Sequence, residues 1–254
     1  MTKSRSDRID AAAHALVEAR ARRTLLDGLP GDLIPSDDAE AEAIQERCAI
    51  ALGGIAGWKV GAAGPEALPG HAPMPKSGVH ESPARLSAAD YFFVGLEAEI
   101  AFRFAKPLPA AQAPFSMADV LGAIGSVHAG IEIVDSRYSN WRSRSAREQA
   151  ADLGNHGAYV LGPAGSAPVD IDQTRQPAEL WIDGACKVAT VGGNTAGNVQ
   201  RLLHWLANHC IGRGLSIRAG DIVTSGSCTG LVLAHAGSRI EARLPGVGIA
   251  ALSL

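Results

Sequence analysis

An α+β fold follows from three features of the sequence. Helix-spaced apolar residues fill the first quarter, short or alternating apolar runs fill most of the remainder, and no regular strand-helix alternation links the two. Ile9, Ala13, Leu16, Val17, Ala21 and Leu25 recur at helical spacing, and Gly28 followed by Pro30 supplies a stop. Asp37 with Glu40 reads as a capping pair for a second helix, whose apolar stripe takes in Ile44, Cys48, Ala51, Leu52 and Ile55. Gly53 and Gly54 weaken its end. Beyond Trp58, Pro65, Pro69, Gly70, Pro73 and Pro75 argue for an irregular surface stretch, and a loop of that length is often functional.

From Phe92 to Phe104 the residues alternate, with Val94, Leu96, Ala98, Ile100 and Phe102 on one side and Gly95, Glu97, Glu99 and Ala101 on the other, the signature of a strand. Ser116 with Asp119 opens a short helix, and the apolar run through Ile131, Ile133 and Val134 is another strand. Asp183-Gly184 between Leu180-Trp181-Ile182 and Lys187-Val188-Ala189 is a hairpin turn. Val199, Leu202, Leu203, Leu206 and Cys210 define a third clear helix closed by Gly212 and Gly214, and the tail around Ile222, Leu231 and Ile240 is strand and turn.

The chain has 254 residues, 46% hydrophobic and 19% charged, which is ordinary globular composition. A net charge of -3 without a block of Lys or Arg excludes the footprint of a nucleic-acid binder, and Arg20, Arg22 and Arg23 read as the wet face of a helix. Cys48, Cys186, Cys210 and Cys228 lack a C-x-x-C pair and sit among apolar residues, as reduced buried thiols do. The polar N-terminus and the absence of a membrane-length apolar run place the protein in the cytoplasm, with no membrane partner expected.

Glu97 and Glu99 are two apart on one strand, so both carboxylates leave the same face and repel. Burying them calls for a shared proton, a basic partner or a cation. Glu132 is a third carboxylate in an apolar strand, and three acids without Cys describe a hard-ion site for Mg²⁺, Mn²⁺ or Ca²⁺. Spacing alone fits equally well with Glu97 and Glu99 lining the solvated face of an edge strand.

The ordered motifs Gly57-Trp58-Lys59-Val60-Gly61, Gly95-Leu96-Glu97-Ala98-Glu99-Ile100, Ile131-Glu132-Ile133-Val134-Asp135-Ser136-Arg137 and Gly220-Asp221-Ile222-Val223-Thr224-Ser225-Gly226 resemble those of the 2-oxopent-4-enoate hydratase and 4-oxalocrotonate decarboxylase family, within the fumarylacetoacetate hydrolase superfamily. The resemblance runs from about Leu16 to the C-terminus. It implies a mixed, rolled β-sheet flanked by helices in a single domain, with a helical segment over residues 1–56 and the catalytic β-roll over 57–254. It also implies a homo-oligomer, Glu97, Glu99 and Glu132 as ligands for Mg²⁺ (or Mn²⁺), Lys59 as the active-site lysine, and a small 2-oxo acid or its dienol form from aromatic catabolism as substrate. A 2-oxo acid can chelate a cation through its carboxylate and carbonyl oxygens, and the cation's charge favours an enolate. Hydration and decarboxylation share that enolate.

Family hydratases carry an acid in a P-D-F-G loop, where this chain has Pro75-Lys76-Ser77-Gly78. Three readings follow: a hydratase, a decarboxylase of a 2-oxo-3-enedioate, and a catalytically weakened metal-binding homologue acting in a complex. His80 and His156 are candidates for the missing acid-base role, although loop histidines are often merely solvated, as His128 also would be. Arg137 pairs either with a substrate carboxylate or with Asp135, and Ser225, Ser227 and Thr229 flank a glycine turn suited either to an anionic substrate or to tight packing. Gly192 to Gly197 lacks the Lys of a phosphate loop, so nucleotide binding is rejected.

Overall fold

The computed structural model describes residues 4–254. Helix α1 (Arg5–Arg22) opens on a reciprocal cap between Ser4 and Asp7 and ends where Arg23 enters the left-handed region at φ 55°, one turn short of the expected Leu25. Helix α2 (Asp38–Ala51) starts at Asp37, whose carboxylate accepts from Glu40 N at 2.7 Å. Glu40 turns its own carboxylate to Ser36 instead. Gly53 and Gly54, with φ of 98° and 92°, turn the chain out of the helix. Ile55, expected in the α2 stripe, therefore begins strand β1 (Ile55–Gly61).

The Pro-rich stretch is irregular only over 62–69. Gly70–Pro75 forms β2, antiparallel to β1 at the edge of its sheet, where Pro73 and Pro75 cost little because an edge leaves some N–H groups unneeded. There follow β3 (Val79–Glu81), β4 (Ala84–Arg85), β5 (Val94–Phe104), α3 (Met117–Ala123), β6 (Ile124–Val134), α4 (Ala146–Ala151) and β7 (His156–Ala164). The hairpin of β8 (Pro177–Ile182) and β9 (Ala185–Val191) turns on Asp183 and Gly184 at φ 52° and 77°, as Asp-Gly predicts. Helix α5 (Gln200–Gly212) and strands β10 (Ile222–Ser227), β11 (Val232–Ala234), β12 (Arg239–Leu244) and β13 (Gly248–Ser253) complete the chain.

The larger sheet runs β2-β1-β10-β5-β6-β7-β3, with β11 also on β5, and is mixed: β1/β10 and β3/β7 are parallel and the other pairs antiparallel. The smaller sheet runs β4-β13-β12-β8-β9. Leu96, Ile100 and Phe102 from β5, Ile131 and Ile133 from β6, Leu180 from β8, Ile240 from β12 and Leu206 from α5 share one buried cluster. Each such side chain contributes roughly 1.5–3 kcal/mol by leaving water. A second cluster joins α1 and α2 to Tyr138, Ala151 and Leu153. Because β5 is central and its apolar side fills the core, Glu97 and Glu99 necessarily face the other side of the sheet. That geometry removes the edge-strand reading of this pair.

Cys48, Cys210 and Cys228 are buried free thiols, but Cys186 is exposed on β9, which corrects the expectation for that residue. Among the described residues no helix is long and apolar enough to cross a membrane.

Candidate active site

Cross-strand register brings the three acids together. Glu97 on β5 stands directly opposite Glu132 on β6, and Glu99 follows two residues along the same face. One carboxylate oxygen from each lies within 4.8 Å of one from each of the others. Like charges in such pairs destabilise a sheet. Glu99 and Glu132 are 1% and 2% exposed, so water does little to screen them.

The consequence is written in their acidities. Burial, then the Glu132 charge, raises the Glu97 carboxyl to about 7 against the opposing pull of Lys59. Burial and the charges of Glu132 and Glu97 raise Glu99 well above the usual carboxylate range, despite a bond donated by Thr224 Oγ1. Glu132 goes the other way: burial resists its ionisation, but the Lys59 charge and bonds donated by His156 and Lys59 outweigh that and lower it. One ammonium thus faces three carboxylates, and this surplus of buried negative charge fits a hard dication held by oxygen ligands.

Lys59 reaches the cluster from β1, where its neighbours in register are Thr224 and Ala72. Its Nζ donates to Glu132 and, at 3.0 Å, to the Gly154 carbonyl. Burial favours the neutral amine, but Glu132, Glu99 and Glu97 together raise its pKa, so it stays an ammonium. The carbonyl is offered by a turn in which Leu153, Gly154 and Asn155 all have φ between 55° and 60°. Two of these are not glycine, so the turn needs outside support.

Arg137 supplies it. Its Nε donates to Asp152 Oδ1 at 2.5 Å, one terminal nitrogen to the Asp152 carbonyl at 2.9 Å and the other to the His156 carbonyl at 3.1 Å. Asp152 also receives Ser136 Oγ at 2.8 Å. Arg137 is 2% exposed, and this corrects the expectation that it meets a substrate carboxylate. Its pairing is chiefly with Asp152, with Asp135 3.8 Å away.

Two other expected site residues also lie off the cavity. Ser225 is fully buried, donating to the Ile100 carbonyl at 3.1 Å and accepting from Gln173 at 3.0 Å, so it ties β10 to β5. His80 sits on β3 opposite Val160 of β7, half-buried, and burial lowers its pKa. His156 is fully buried behind Glu132, its Nδ1 3.2 Å from Glu132 Oε1. Burial lowers it to about 4 even against that carboxylate, so it is a neutral donor that orients Glu132. Lys76, in the place of the family acid, is exposed, with its chain beside Gly53 and Gly54. His128 bonds to the Gly162 carbonyl at 2.8 Å and is structural.

The cavity in front of the acids has a volume of about 410 Å³ and is walled by Lys59, Gln149 and Ala150 of α4, Gly154, Asn155 and Ser227 among others. Ser227 Oγ accepts the Gly230 N–H at 2.9 Å, so its hydroxyl also shapes its own turn. Sequence reasoning missed Thr224 and Tyr159: Tyr159 Oη donates to Thr224 Oγ1 at 3.1 Å, and Thr224 donates to Glu99. Gly130 makes room for that phenol, since a Cβ there would come 2.0 Å from Tyr159 Oη. The signal available was Gly130 itself, an otherwise costly glycine inside a strand.

A mixed sheet that carries a three-carboxylate cluster on the face away from its apolar core, opening on a cavity with a buried lysine, sets the class of fold and site. Residues 78–253 match the family model described as fumarylacetoacetate (FAA) hydrolase C-terminal, and the chain belongs to that family. It is similar to a 2-keto-4-pentenoate hydratase of Paraburkholderia phymatum (36% identity over 60% of this chain and 57% of that one). It is also similar to a 2-hydroxyhexa-2,4-dienoate hydratase of Comamonas testosteroni (32% over 64% and 61%). The match thus spans about three-fifths of the length of these relatives, which are enzymes. In fold it is similar to the 4-oxalocrotonate decarboxylase of Pseudomonas putida G7 complexed with calcium and acetate, with a TM-score of 0.83, 20% identity, and coverage of 100% of this chain and 99% of that one. The same decarboxylase is also known with magnesium and adipate.

Proposed function

We propose that this protein is a divalent-metal-dependent lyase that hydrates a small 2-hydroxy-2,4-dienoate or its 2-oxo-4-enoate form, with Mg²⁺ the expected ion. The observation that carries the reading is the convergence of Glu97, Glu99 and Glu132 in front of a cavity that also holds Lys59. A dication held by these acids supplies the charge that binds a 2-oxo acid and favours its enolate. Thr224 and His156 each fix one ligand carboxylate, leaving its remaining acceptor positions directed by the sheet. With His80 off the cavity and His156 behind Glu132, Lys59 Nζ is the group placed to move the proton at the substrate carbon. Gln149 and Asn155, joined at 3.0 Å, present amide groups that can orient the incoming water.

Decarboxylation of a 2-oxo-3-enedioate is the second reading, favoured by the exposed Lys76 where hydratases carry an acid. Against it, Lys59 is the one Lys or Arg among the described cavity-lining residues, and it is already bonded to Glu132, so the second carboxylate of a diacid meets no free cation. The test is to supply 2-hydroxypenta-2,4-dienoate with Mg²⁺ and follow its absorbance. Hydration that stops on chelation supports the proposal; CO₂ release from 2-oxohex-3-enedioate, with the dienoate untouched, replaces it with the second reading.

A further inference from the structure

Beside the cavity, and reaching its wall through His71, lies a second group of ligand-type side chains that the lyase reading does not use. Glu42 of α2, His71 of β2 and His209 of α5 each offer a ligand atom within 4.8 Å of the others. His209 Nε2 is 3.0 Å and His71 Nδ1 is 3.9 Å from the same oxygen, Glu42 Oε1. A tetrahedral ion with donors about 2.1 Å away spaces those donors about 3.4 Å apart, and the two observed separations bracket that value.

The surroundings suit a cation. The His71 side chain is 3% exposed. Gln45 is wholly buried, its amide 3.4 Å from His71 Nε2, and its Oε1 has no hydrogen-bond partner. The two ends of an amide exchange places by a simple flip. With Gln45 flipped, its oxygen accepts His71 Nε2–H and the Nδ1 lone pair is left facing Glu42 and His209, the way ligand imidazoles are commonly oriented. Trp205 stacks on His209 at 4.5 Å and Trp58 packs 5.9 Å from His71, which restricts both rings. Arg213 takes the other Glu42 oxygen at 3.3 Å and Glu46 at 3.0 Å. Two acids, Glu42 and Glu46, thus meet a single guanidinium, Arg213. His209, with its side chain 26% exposed, leaves a path from solvent.

We propose that Glu42, His71 and His209 form a second metal site, selective for a borderline divalent ion of the Zn²⁺, Co²⁺ or Ni²⁺ type. Two imidazoles and one carboxylate prefer such ions, whereas the all-oxygen cluster prefers Mg²⁺. Bound metal joins α2 and α5 to β2, whose Gly70 and Ala72 line the cavity, and so stiffens the wall facing Lys59. The site stands independently of the lyase reading.

The test is a Co²⁺ titration of chelator-stripped full-length protein in excess Mg²⁺, followed by visible absorption and by equilibrium dialysis. One equivalent of Co²⁺ with the strong absorption of a tetrahedral ion is expected, displaced by Zn²⁺. Both His209→Ala and Glu42→Gln should weaken it at least about tenfold, and Glu99→Gln should leave it intact. His209→Ala alters a partly exposed residue, and its melting curve checks folding. Weak octahedral absorption alone, or binding lost in Glu99→Gln yet kept in His209→Ala, overturns the proposal.

Discussion

Lowering the pH from 8 to 5 should weaken Mg²⁺ binding by about 100-fold or more. The Glu97 carboxyl is raised to about 7 by burial and by Glu132, so at pH 5 a cation must displace its proton, at a cost of about tenfold in affinity per unit below that value. Glu99, raised further, steepens the slope. The same shift acts on the metal-free fold with opposite sign. Between the unfolded value near 4.5 and the folded value near 7 the native state binds the extra proton, so stability falls as pH rises, by about 3 kcal/mol for Glu97. Titration calorimetry in two buffers of different ionisation enthalpy measures both affinity and protons released. Glu97→Gln should remove one proton from the count and stabilise the metal-free protein at pH 8. A dissociation constant that changes less than threefold between pH 8 and 5, with no proton release, would refute the reasoning.

Three substitutions extend the test. Lys59→Met should lower kcat by about two orders of magnitude or more, the scale of losing a general acid, measured at saturating Mg²⁺; a near wild-type kcat would remove Lys59 from proton transfer. Arg137→Met leaves Asp152 buried and unpaired, so urea denaturation should show a loss of about 3–5 kcal/mol; a loss under 1 kcal/mol would contradict its role as the support of the Gly154 turn. Thr224→Val removes the donor to Glu99 and should weaken Mg²⁺ about 10-fold or more while the melting temperature of the metal-free protein changes little; unchanged affinity would show that the Tyr159-Thr224 chain does not tune the acids.

What could be read in the sequence was whatever local spacing encodes. The alternation of β5, the Asp183-Gly184 hairpin and the Asp37 and Ser116 caps depend on neighbours within a few residues, and all are present. Strand β2 was hidden because its prolines are unremarkable only at a sheet edge, which is a property of the whole topology. Helix α4 is six residues long, too short to display a period. In the site, Glu97, Glu99, Glu132 and Lys59 were named from motifs, and the structure sets them together. Arg137, Ser225 and His80 were not correctly placed, since a partner fifteen or more residues away decides whether a polar side chain faces a cavity or locks a turn.

The central claim is that the three glutamates hold a cation that in turn receives a 2-oxo acid, and oxalate, a stable mimic, tests it most directly. At 100 times its dissociation constant a ligand adds about 2.7 kcal/mol, or roughly 5–10 °C in melting temperature for a chain of this size. Oxalate should raise the melting temperature by that amount only with Mg²⁺ present, and not in Glu99→Gln. An equal shift in chelator, or an undiminished one in Glu99→Gln, would contradict the account.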